Sequence, residues 1–165
     1  AGGAGADPGV RLHVNGAASG GDELDLASLA AREGVADLVT FSGPVPAPAL
    51  AAQFRAADVV AMPSASETYG LVALEAQACG TPVLAHRVGG LVYAVLDGVS
   101  GRHVTAGTPE AWADALAEIL ADRDAWAALG TGAVRHAAGH SWEAYADGLL
   151  EAVAAVPRRS PGLDA

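Results

Sequence analysis

Short runs of β-branched and apolar residues alternate along the chain with longer segments in which apolar residues recur every three or four positions. The short runs predict strands, and the longer segments predict helices. Strands are expected at 10–16, 37–43, 59–64, 82–86 and at the end of 89–104. Helices are expected at 24–34, 46–58, from about 70 to 80, 109–121, from about 122 to 137 and from 141 to about 155, with a short helical turn after 89. Because the strands are short and apolar on both faces, this order predicts a doubly wound α/β domain whose parallel sheet is covered by helices on both faces.

The two ends of the chain differ in composition from the part between them. The first nine residues, AGGAGADPG, predict a frayed start, and residues 156–165 predict a disordered tail. One domain over residues 10–155 is therefore expected. The start has neither a basic nor an apolar segment, so it does not resemble a signal peptide, and its Ala1 indicates a processed or truncated chain.

Charge and cysteine content narrow the classes of partner. The 165 residues carry 19 acidic side chains against nine basic ones, all arginine, which gives a net charge of −10. Nucleic acid and anionic membranes require a basic face, so both are disfavoured as partners. No apolar run approaches the roughly 18 residues of a membrane span. The single Cys79 permits no internal disulfide, and it is expected to be a buried small side chain in a cytoplasmic protein.

The stretch SASETYGLVALEAQACGTP, residues 64–82, carries the most specific candidate chemistry. A helix that begins near Gly70 would leave the first amides, those of Gly70, Leu71 and Val72, free to bind an anion such as phosphate, and Gly70 would let that anion come close. Glu67 and Glu75 lie eight residues apart, which on a helix brings them to within roughly 80° of one face. Their carboxylates could accept from a sugar ring and from a ribose diol. Alternatively, Glu67 is only a helix N-terminal acid and Glu75 a solvated surface residue.

Other polar and aromatic residues give weaker indications. His136 and His140 have i, i+4 spacing, but no acidic or cysteine partner lies beside them, so capping or solvated histidines are favoured over a metal site. Arg87, which follows the strand at 82–86, is the basic residue expected near a ligand, with a surface arginine as the alternative. The tryptophans are expected to pin the three terminal helices to the sheet: Trp112, Trp126 and Trp142.

Four features occur in order along the chain: the E-x7-E pair, the frame PS..E..GLV.LEA.ACG.PV, the VGG turn and DGVSG. With the late SWEAYA helix, they make residues 10–150 resemble the C-terminal, nucleotide-sugar-binding domain of retaining glycosyltransferases of family 4, which have the GT-B fold. The resemblance implies a Rossmann-like half of that fold. It also implies that Glu75 holds the ribose hydroxyls, that Glu67 holds the donor sugar as the catalytic residue, and that the amides of Gly70, Leu71 and Val72 hold the diphosphate.

The resemblance implies two further sets of ligand contacts. The loop from Gly43 to Val45 would lie beside the base of the nucleotide. A magnesium ion would be held largely by backbone oxygens at the positions of Phe54, Arg55 and Ala57, and by Thr81. Phe54 stands where tyrosine is usual, but carbonyl oxygens remain suitable ligands for a hard cation.

Within the family, the phrases FRAADVVAMPS, EAQACGTPV and GGLVYAVLDGVSG most resemble the subfamily that transfers N-acetylglucosamine from UDP-GlcNAc to 1D-myo-inositol 3-phosphate in mycothiol biosynthesis. Another family 4 hexosyltransferase that uses a UDP-, GDP- or ADP-sugar, and a noncatalytic nucleotide-binding fragment, are the alternatives. The resemblance places a diphosphate-binding arginine and lysine, and the acceptor-binding N-terminal domain, before residue 1. We therefore expect this chain to be a donor-binding lobe without activity of its own, and the resemblance leaves a homodimer of the full enzyme open.

Overall fold

A computed structural model describes residues 9–16 and 25–156, and it divides the chain into two compact units, Ala1–Leu50 and Ala51–Ala165. The predicted loop of residues 16–23 lies outside the described residues except for Gly16. The predicted frayed start and disordered tail also lie outside them, except for Gly9 and Val156. The two units are taken in turn.

The first unit contains two parallel strands, β1 (Leu12–Asn15) and β2 (Val39–Ser42), in which Leu12 is opposite Val39. Helix α1 (Leu26–Arg32) and a short 3₁₀ turn, Ala36–Leu38, lie between the strands in sequence. Asp25 begins α1 because its carboxylate accepts from the Ser28 amide at 3.1 Å. Gly34, at φ 73°, follows the end of the helix, as the sequence predicts.

Helix α2 (Ala47–Ala56) leads from the first unit into the second. The second unit has a three-stranded parallel sheet of β3 (Val60–Met62), β4 (Val83–His86) and β5 (Gly101–Val104), with β4 in the centre. The first three residues of β4 are buried, and the fourth, His86, is half-buried. This explains why β4 is apolar on both faces. The predicted α/β class and the parallel strand direction are confirmed, although the described strands form two sheets.

The remaining helices belong to the second unit. They are α3 (Leu71–Ala78), α4 (Leu91–Ala94), α5 (Pro109–Ala121), α6 (Arg123–Ala138) and α7 (Trp142–Ala154). The last three begin at side-chain caps, because Thr108, Asp122 and Ser141 each accept from an amide of the first turn. The boundaries agree with the predicted ones to within a few residues.

The core of the second unit forms where β4 and β5 meet α5 and α6. Leu84, Val104, Ile119 and Leu129 are buried together there. The tryptophans of α5 and α6, Trp112 and Trp126, pack against this cluster as predicted, and the Trp126 indole N–H donates to the Asp58 carbonyl at 2.6 Å. The prediction for Trp142 is wrong. It is 79% exposed, and its ring packs edge-on against Tyr145. None of the residues of α7 is buried, so this helix does not carry Trp142 into the core.

Gly70, the N-cap residue of α3, packs closely against α4. It has φ 90°, and a β-carbon built there would stand 2.7 Å from the β-carbon of Ala94 and 3.2 Å from a methyl group of Leu91. An L side chain would therefore meet both backbone strain and a steric overlap. Glycine at this position thus follows from helix packing, whether or not a phosphate also approaches it.

We expect Gly70→Ala to lower the free energy of unfolding by about 3 kcal/mol, from left-handed strain together with an overpacked contact. Gly98 is the matched control, since it has φ 73° but nothing within 4 Å of its built β-carbon. Gly98→Ala should lower stability by about 1 kcal/mol, from strain alone. Urea unfolding followed by circular dichroism measures both values. Equal losses in the two variants would contradict the close packing of Gly70 against α4.

Candidate functional site at the carboxyl ends of the central strands

Two loops leave the carboxyl end of the central sheet beside each other. The loop of residues 63–70 connects β3 to α3, and the loop of residues 87–90 connects β4 to α4. β3 and β4 are neighbours and run parallel, so both loops begin at the same edge of the sheet. In open parallel sheets this edge is where ligands bind. The E-x7-E pair of the sequence begins in the first loop.

The carboxylate of Glu67 accepts from the two amides that immediately precede α3, a contact called the Glu67 cap below. Its Oε1 accepts from the amide of Tyr69 at 3.2 Å and from the amide of Gly70 at 3.1 Å. This contact agrees with the position of an acid before the helix, which the sequence left as an alternative, and the assignment of Glu67 to the donor sugar stays a prediction. In the part of the chain that the structure describes, Oε2 has no hydrogen-bond partner. One oxygen of Glu67 thus fixes the side chain, and the other can accept from a hydroxyl group.

The three amides expected to hold an anion differ in whether they already have an acceptor in the protein. The Gly70 amide already donates to Glu67, whereas the amides of Leu71 and Val72 have no acceptor among the described residues. They carry the positive end of the α3 dipole. A diphosphate could therefore bind to Leu71 and Val72 directly, next to the negative charge of Glu67.

Glu75 lies on the exposed face of α3. The opposite face is buried and includes Leu74 and Gln77. On the exposed side, Leu71 and Val72 are 55% and 42% exposed, so Glu75 continues an accessible strip that is otherwise apolar. Such a strip suits a ligand with one apolar surface and a pair of hydroxyl groups. The assignment of Glu75 to ribose hydroxyls stays a prediction.

The β4–α4 loop packs against the β3–α3 loop, which carries Glu67. The Gly90 amide donates to the Glu67 carbonyl at 2.8 Å, and a β-carbon at Gly89 would stand 2.0 Å from that same carbonyl oxygen. The imidazole Nδ1 of His86 lies 3.1 Å from the Ser64 carbonyl oxygen. The VGG turn therefore contacts the segment that carries Glu67. No sequence motif indicates the contact between His86 and the Ser64 carbonyl.

Gln77 is a second residue whose role the sequence did not reveal. It is fully buried, and its Nε2 donates to the Ala73 carbonyl at 2.9 Å and to the Ala94 carbonyl at 2.7 Å. Its Oε1 is buried without a partner among the described residues. Gln77 thus ties α3 to the end of α4, so the two helices that frame Glu67 are joined by a polar side chain as well as by Gly70.

The residues expected to hold magnesium are partly brought together. The Thr81 hydroxyl donates to the Phe54 carbonyl at 2.5 Å, and the Ala57 amide donates to the same oxygen at 3.1 Å. Both acceptor positions of that oxygen are therefore filled by the protein. The Arg55 side chain is exposed. The oxygens are of the type that magnesium prefers, but they do not form a preorganised cation site, and the described residues contain no group of three His, Cys, Asp or Glu residues that could hold a metal.

The remaining residues expected beside a ligand, Gly43, Val45 and Arg87, lie in loops that follow strands. Gly43 and half-buried Val45 lie in the β2–α2 loop of the first unit. Arg87 is exposed in the β4–α4 loop, and its guanidinium forms no ion pair with the described residues. Cys79 ends α3 and is half-buried, rather than buried as predicted, because it occupies the C-cap.

His136 in α6 and His140, which follows the helix, each have a ring nitrogen close to a carbonyl oxygen. His136 Nε2 lies 3.2 Å from the Tyr93 carbonyl oxygen, and His140 Nδ1 lies 3.0 Å from that of His136. The two rings stack edge-on at 4.5 Å. Burial of the imidazole, followed by the neighbouring His140, lowers the pKa of His136. Both residues therefore act as helix-end contacts, which agrees with the capping role expected from the sequence.

None of the helices described is both long and apolar enough to cross a membrane.

Comparison with known proteins connects this geometry to one family. The family described as Glycosyl transferases group 1 matches residues 4–136. The chain is 51% identical over 155 residues to the D-inositol 3-phosphate glycosyltransferase of Segniliparus rotundus, which covers 93% of this chain and 34% of that protein. It is 56% identical over 126 residues to the same-named protein of Thermobispora bispora, across 76% of this chain and 29% of that protein. The chain thus spans about a third of the length of these relatives.

Solved structures of glycosyltransferases share the fold. Anabaena Alr3699/HepE in complex with UDP superposes with a TM-score of 0.79 at 26% identity, over 91% of this chain and 42% of that chain. Sucrose-phosphate synthase of Thermosynechococcus elongatus superposes with a TM-score of 0.75 at 33% identity, over 88% and 39%. The α/β unit with its Glu67 loop is therefore the structure expected of half of a GT-B enzyme, and the chain belongs to the family of group 1 glycosyl transferases.

Proposed function

We propose that this chain is the donor-binding lobe of a retaining glycosyltransferase, which transfers N-acetylglucosamine from UDP-GlcNAc to 1D-myo-inositol 3-phosphate. The observation that carries the proposal is the cap of α3, where Glu67 and the amides of Leu71 and Val72 lie together at the carboxyl edge of the sheet. The names of relatives at about 50% identity support this donor and acceptor. A structural neighbour in complex with UDP supports a uridine nucleotide.

The parts of a nucleotide sugar fit the features of α3 in sequence. The ribose hydroxyls would bind the exposed carboxylate of Glu75, and the apolar surface of Leu71 and Val72 would lie beneath the ligand. The diphosphate would accept from the two available amides at the start of the helix. The sugar would then reach Glu67 Oε2, which has no protein partner among the described residues.

Transfer with retention needs no protein nucleophile in this arrangement. The acceptor hydroxyl would form its bond to the anomeric carbon on the face from which UDP departs, and the bond from that carbon to the diphosphate oxygen would break. The proton of the acceptor would pass to the departing diphosphate. Helix amides pointing at this group stabilise the negative charge that develops on it. Glu67 would orient the sugar through its free oxygen.

Two further expectations concern cations at the site. Magnesium stays a prediction, because the Phe54 carbonyl and the Thr81 hydroxyl are satisfied by each other in this structure. Arg87 stays the candidate cation for the diphosphate, since its guanidinium is exposed on the loop beside Glu67. Family 4 enzymes that use GDP- or ADP-sugars, and a noncatalytic nucleotide-binding module, are the alternative functions. We also expect the complete protein to act in the cytoplasm.

We expect the chain to bind UDP more tightly than GDP or ADP, and Glu75→Ala to weaken UDP binding by at least about tenfold through loss of charge-assisted hydrogen bonds to ribose. Isothermal titration calorimetry, with and without magnesium, measures the affinities. Asp114→Ala is the control, because it removes another exposed acid, from α5. Tighter GDP or ADP binding would favour the alternative donors, and unchanged affinity in Glu75→Ala would contradict the assigned role.

Glu67→Gln should leave UDP affinity unchanged or raise it by up to about fivefold. The glutamine oxygen can still accept from Tyr69 and Gly70, and the variant removes a negative charge beside the diphosphate. The same variant should abolish any advantage of UDP-GlcNAc over UDP. Calorimetric titration with both ligands measures the difference. A tenfold loss of UDP affinity in Glu67→Gln would contradict the separation of sugar and diphosphate contacts.

Activity should require the part of the relatives that this chain does not cover. The corresponding segment of the Segniliparus rotundus protein, added in trans, is expected to restore transfer from UDP-GlcNAc to 1D-myo-inositol 3-phosphate, measured as UDP release and product mass. The chain alone and the added segment alone serve as controls. If the two folded pieces associate and UDP binds but no product forms, the noncatalytic module is the better description.

A further inference from the structure

The loop that carries Glu67 is held by its neighbour through two carbonyl oxygens. The Ser64 carbonyl lies 3.1 Å from His86 Nδ1, and the Glu67 carbonyl accepts from the Gly90 amide at 2.8 Å. Both donors belong to the end of β4 and the loop after it. The loop residues between Met62 and Leu71 form no regular secondary structure, so no ladder of their own fixes them. These two hydrogen bonds therefore fix the position of the loop backbone from which the Glu67 side chain extends.

Only one of the two donors is a side chain. A carbonyl oxygen can only accept, so the Nδ1 of His86 must carry the proton that it shares with Ser64. The other ring nitrogen, Nε2, has no partner among the described residues. The Gly90 contact comes from the backbone and is closely packed, since a β-carbon there would stand 2.5 Å from the Thr68 carbonyl oxygen. His86 is therefore the side chain that sets this loop.

The position of His86 makes its hold effective. It is the last residue of β4, the central strand, and its half-buried ring starts from a backbone whose three preceding residues are buried. Ser64, at the other end of the contact, lies three residues before Glu67. An imidazole at the end of the central strand thus holds the beginning of a loop that has no regular structure, while the Gly90 amide holds the loop at Glu67 itself.

We propose that His86 is a positioning residue for Glu67, holding the Ser64 carbonyl through Nδ1–H so that the Glu67 carboxylate stays on the amides of Tyr69 and Gly70. The first consequence concerns the protein alone: the cap opens more often when His86 is replaced. The second rests on the proposed function. A misplaced Glu67 weakens the contact to the donor sugar and leaves the contacts to the nucleotide unchanged.

Hydrogen exchange of the Tyr69 and Gly70 amides, followed by NMR without ligand, tests the first consequence. His86→Ala should make both amides exchange about fivefold to tenfold faster, the change expected from losing one hydrogen bond. His86→Asn should retain the slow exchange, because its side-chain amide places an N–H near the position of Nδ1. His86→Gln places its N–H nearer the position of Nε2 and should resemble His86→Ala.

His103→Ala is the matched control for exchange. This histidine is also half-buried in the same sheet and also bonds a carbonyl through its ring, with Nε2 3.2 Å from the Leu91 carbonyl oxygen. Its loss should leave the Tyr69 and Gly70 amides unchanged. Unchanged exchange in His86→Ala would overturn the proposal, and so would equal acceleration in His86→Asn or in His103→Ala. Circular dichroism of each variant confirms that the comparison is between folded chains.

Calorimetry with UDP and UDP-GlcNAc tests the second consequence. In His86→Ala the affinity for UDP-GlcNAc should fall at least fivefold relative to the affinity for UDP, as expected from a weakened hydrogen bond to the sugar, and His86→Asn should restore it. An equal loss for both ligands would overturn the assignment to Glu67. If the unmodified chain binds neither ligand, the proposed function fails, while the exchange measurements still decide whether His86 positions the cap.

Discussion

The hydrogen bond from the Gly90 amide to the Glu67 carbonyl holds together the two loops from which α3 and α4 begin. It requires the β4–α4 loop to lie against the β3–α3 loop with no side chain at residues 89 or 90, where a β-carbon would stand 2.0 and 2.5 Å from backbone oxygens. Once the loops touch in this way, α3 and α4 must begin side by side. Gly70 and Gln77 then serve the same close approach, Gly70 by leaving space and Gln77 by bridging the two helices.

This arrangement gives Glu67 two roles at one position. The carboxylate accepts from the Tyr69 and Gly70 amides, which fixes the end of the β3–α3 loop just before α3. It also places a negative charge where a diphosphate is expected to bind, and that charge opposes anion binding. The second carboxylate oxygen, which has no partner among the described residues, is the atom of Glu67 left to contact a ligand.

Most of the fold was accessible from the sequence because its signals are local. Proline and threonine at the start of α5 and the glycine after α1 determine chain direction through short-range geometry, and the predicted boundaries agree with the structure. Glu67 of the E-x7-E pair and the VGG turn also lie in strand-to-helix loops, as the sequence predicts. Trp142 was misjudged because aromatic content predicts burial only where a helix packs, and sequence periodicity does not say which apolar face is covered.

The polar details of the site were not accessible in this way. His86, Gln77 and the Thr81 contact to Phe54 join residues 22, 17 and 27 positions apart, and each partner is a backbone carbonyl that has no sequence signature. Such contacts follow from how strands and helices meet, which periodicity describes only in part. The sequence could therefore identify Glu67 and Glu75 as candidate ligand residues, but not the histidine and glutamine behind them.

The exposed helix α7 has a consequence for how the chain opens. An isolated helix of 13 residues is marginal in water, and α7 gains no buried side chain from the rest of the unit. Its local unfolding therefore proceeds almost independently of the core around Leu84, and its backbone is accessible to a protease long before the sheet is. The first cleavage of the native chain within residues 142–154 would thus leave the Glu67 loop and its supports intact.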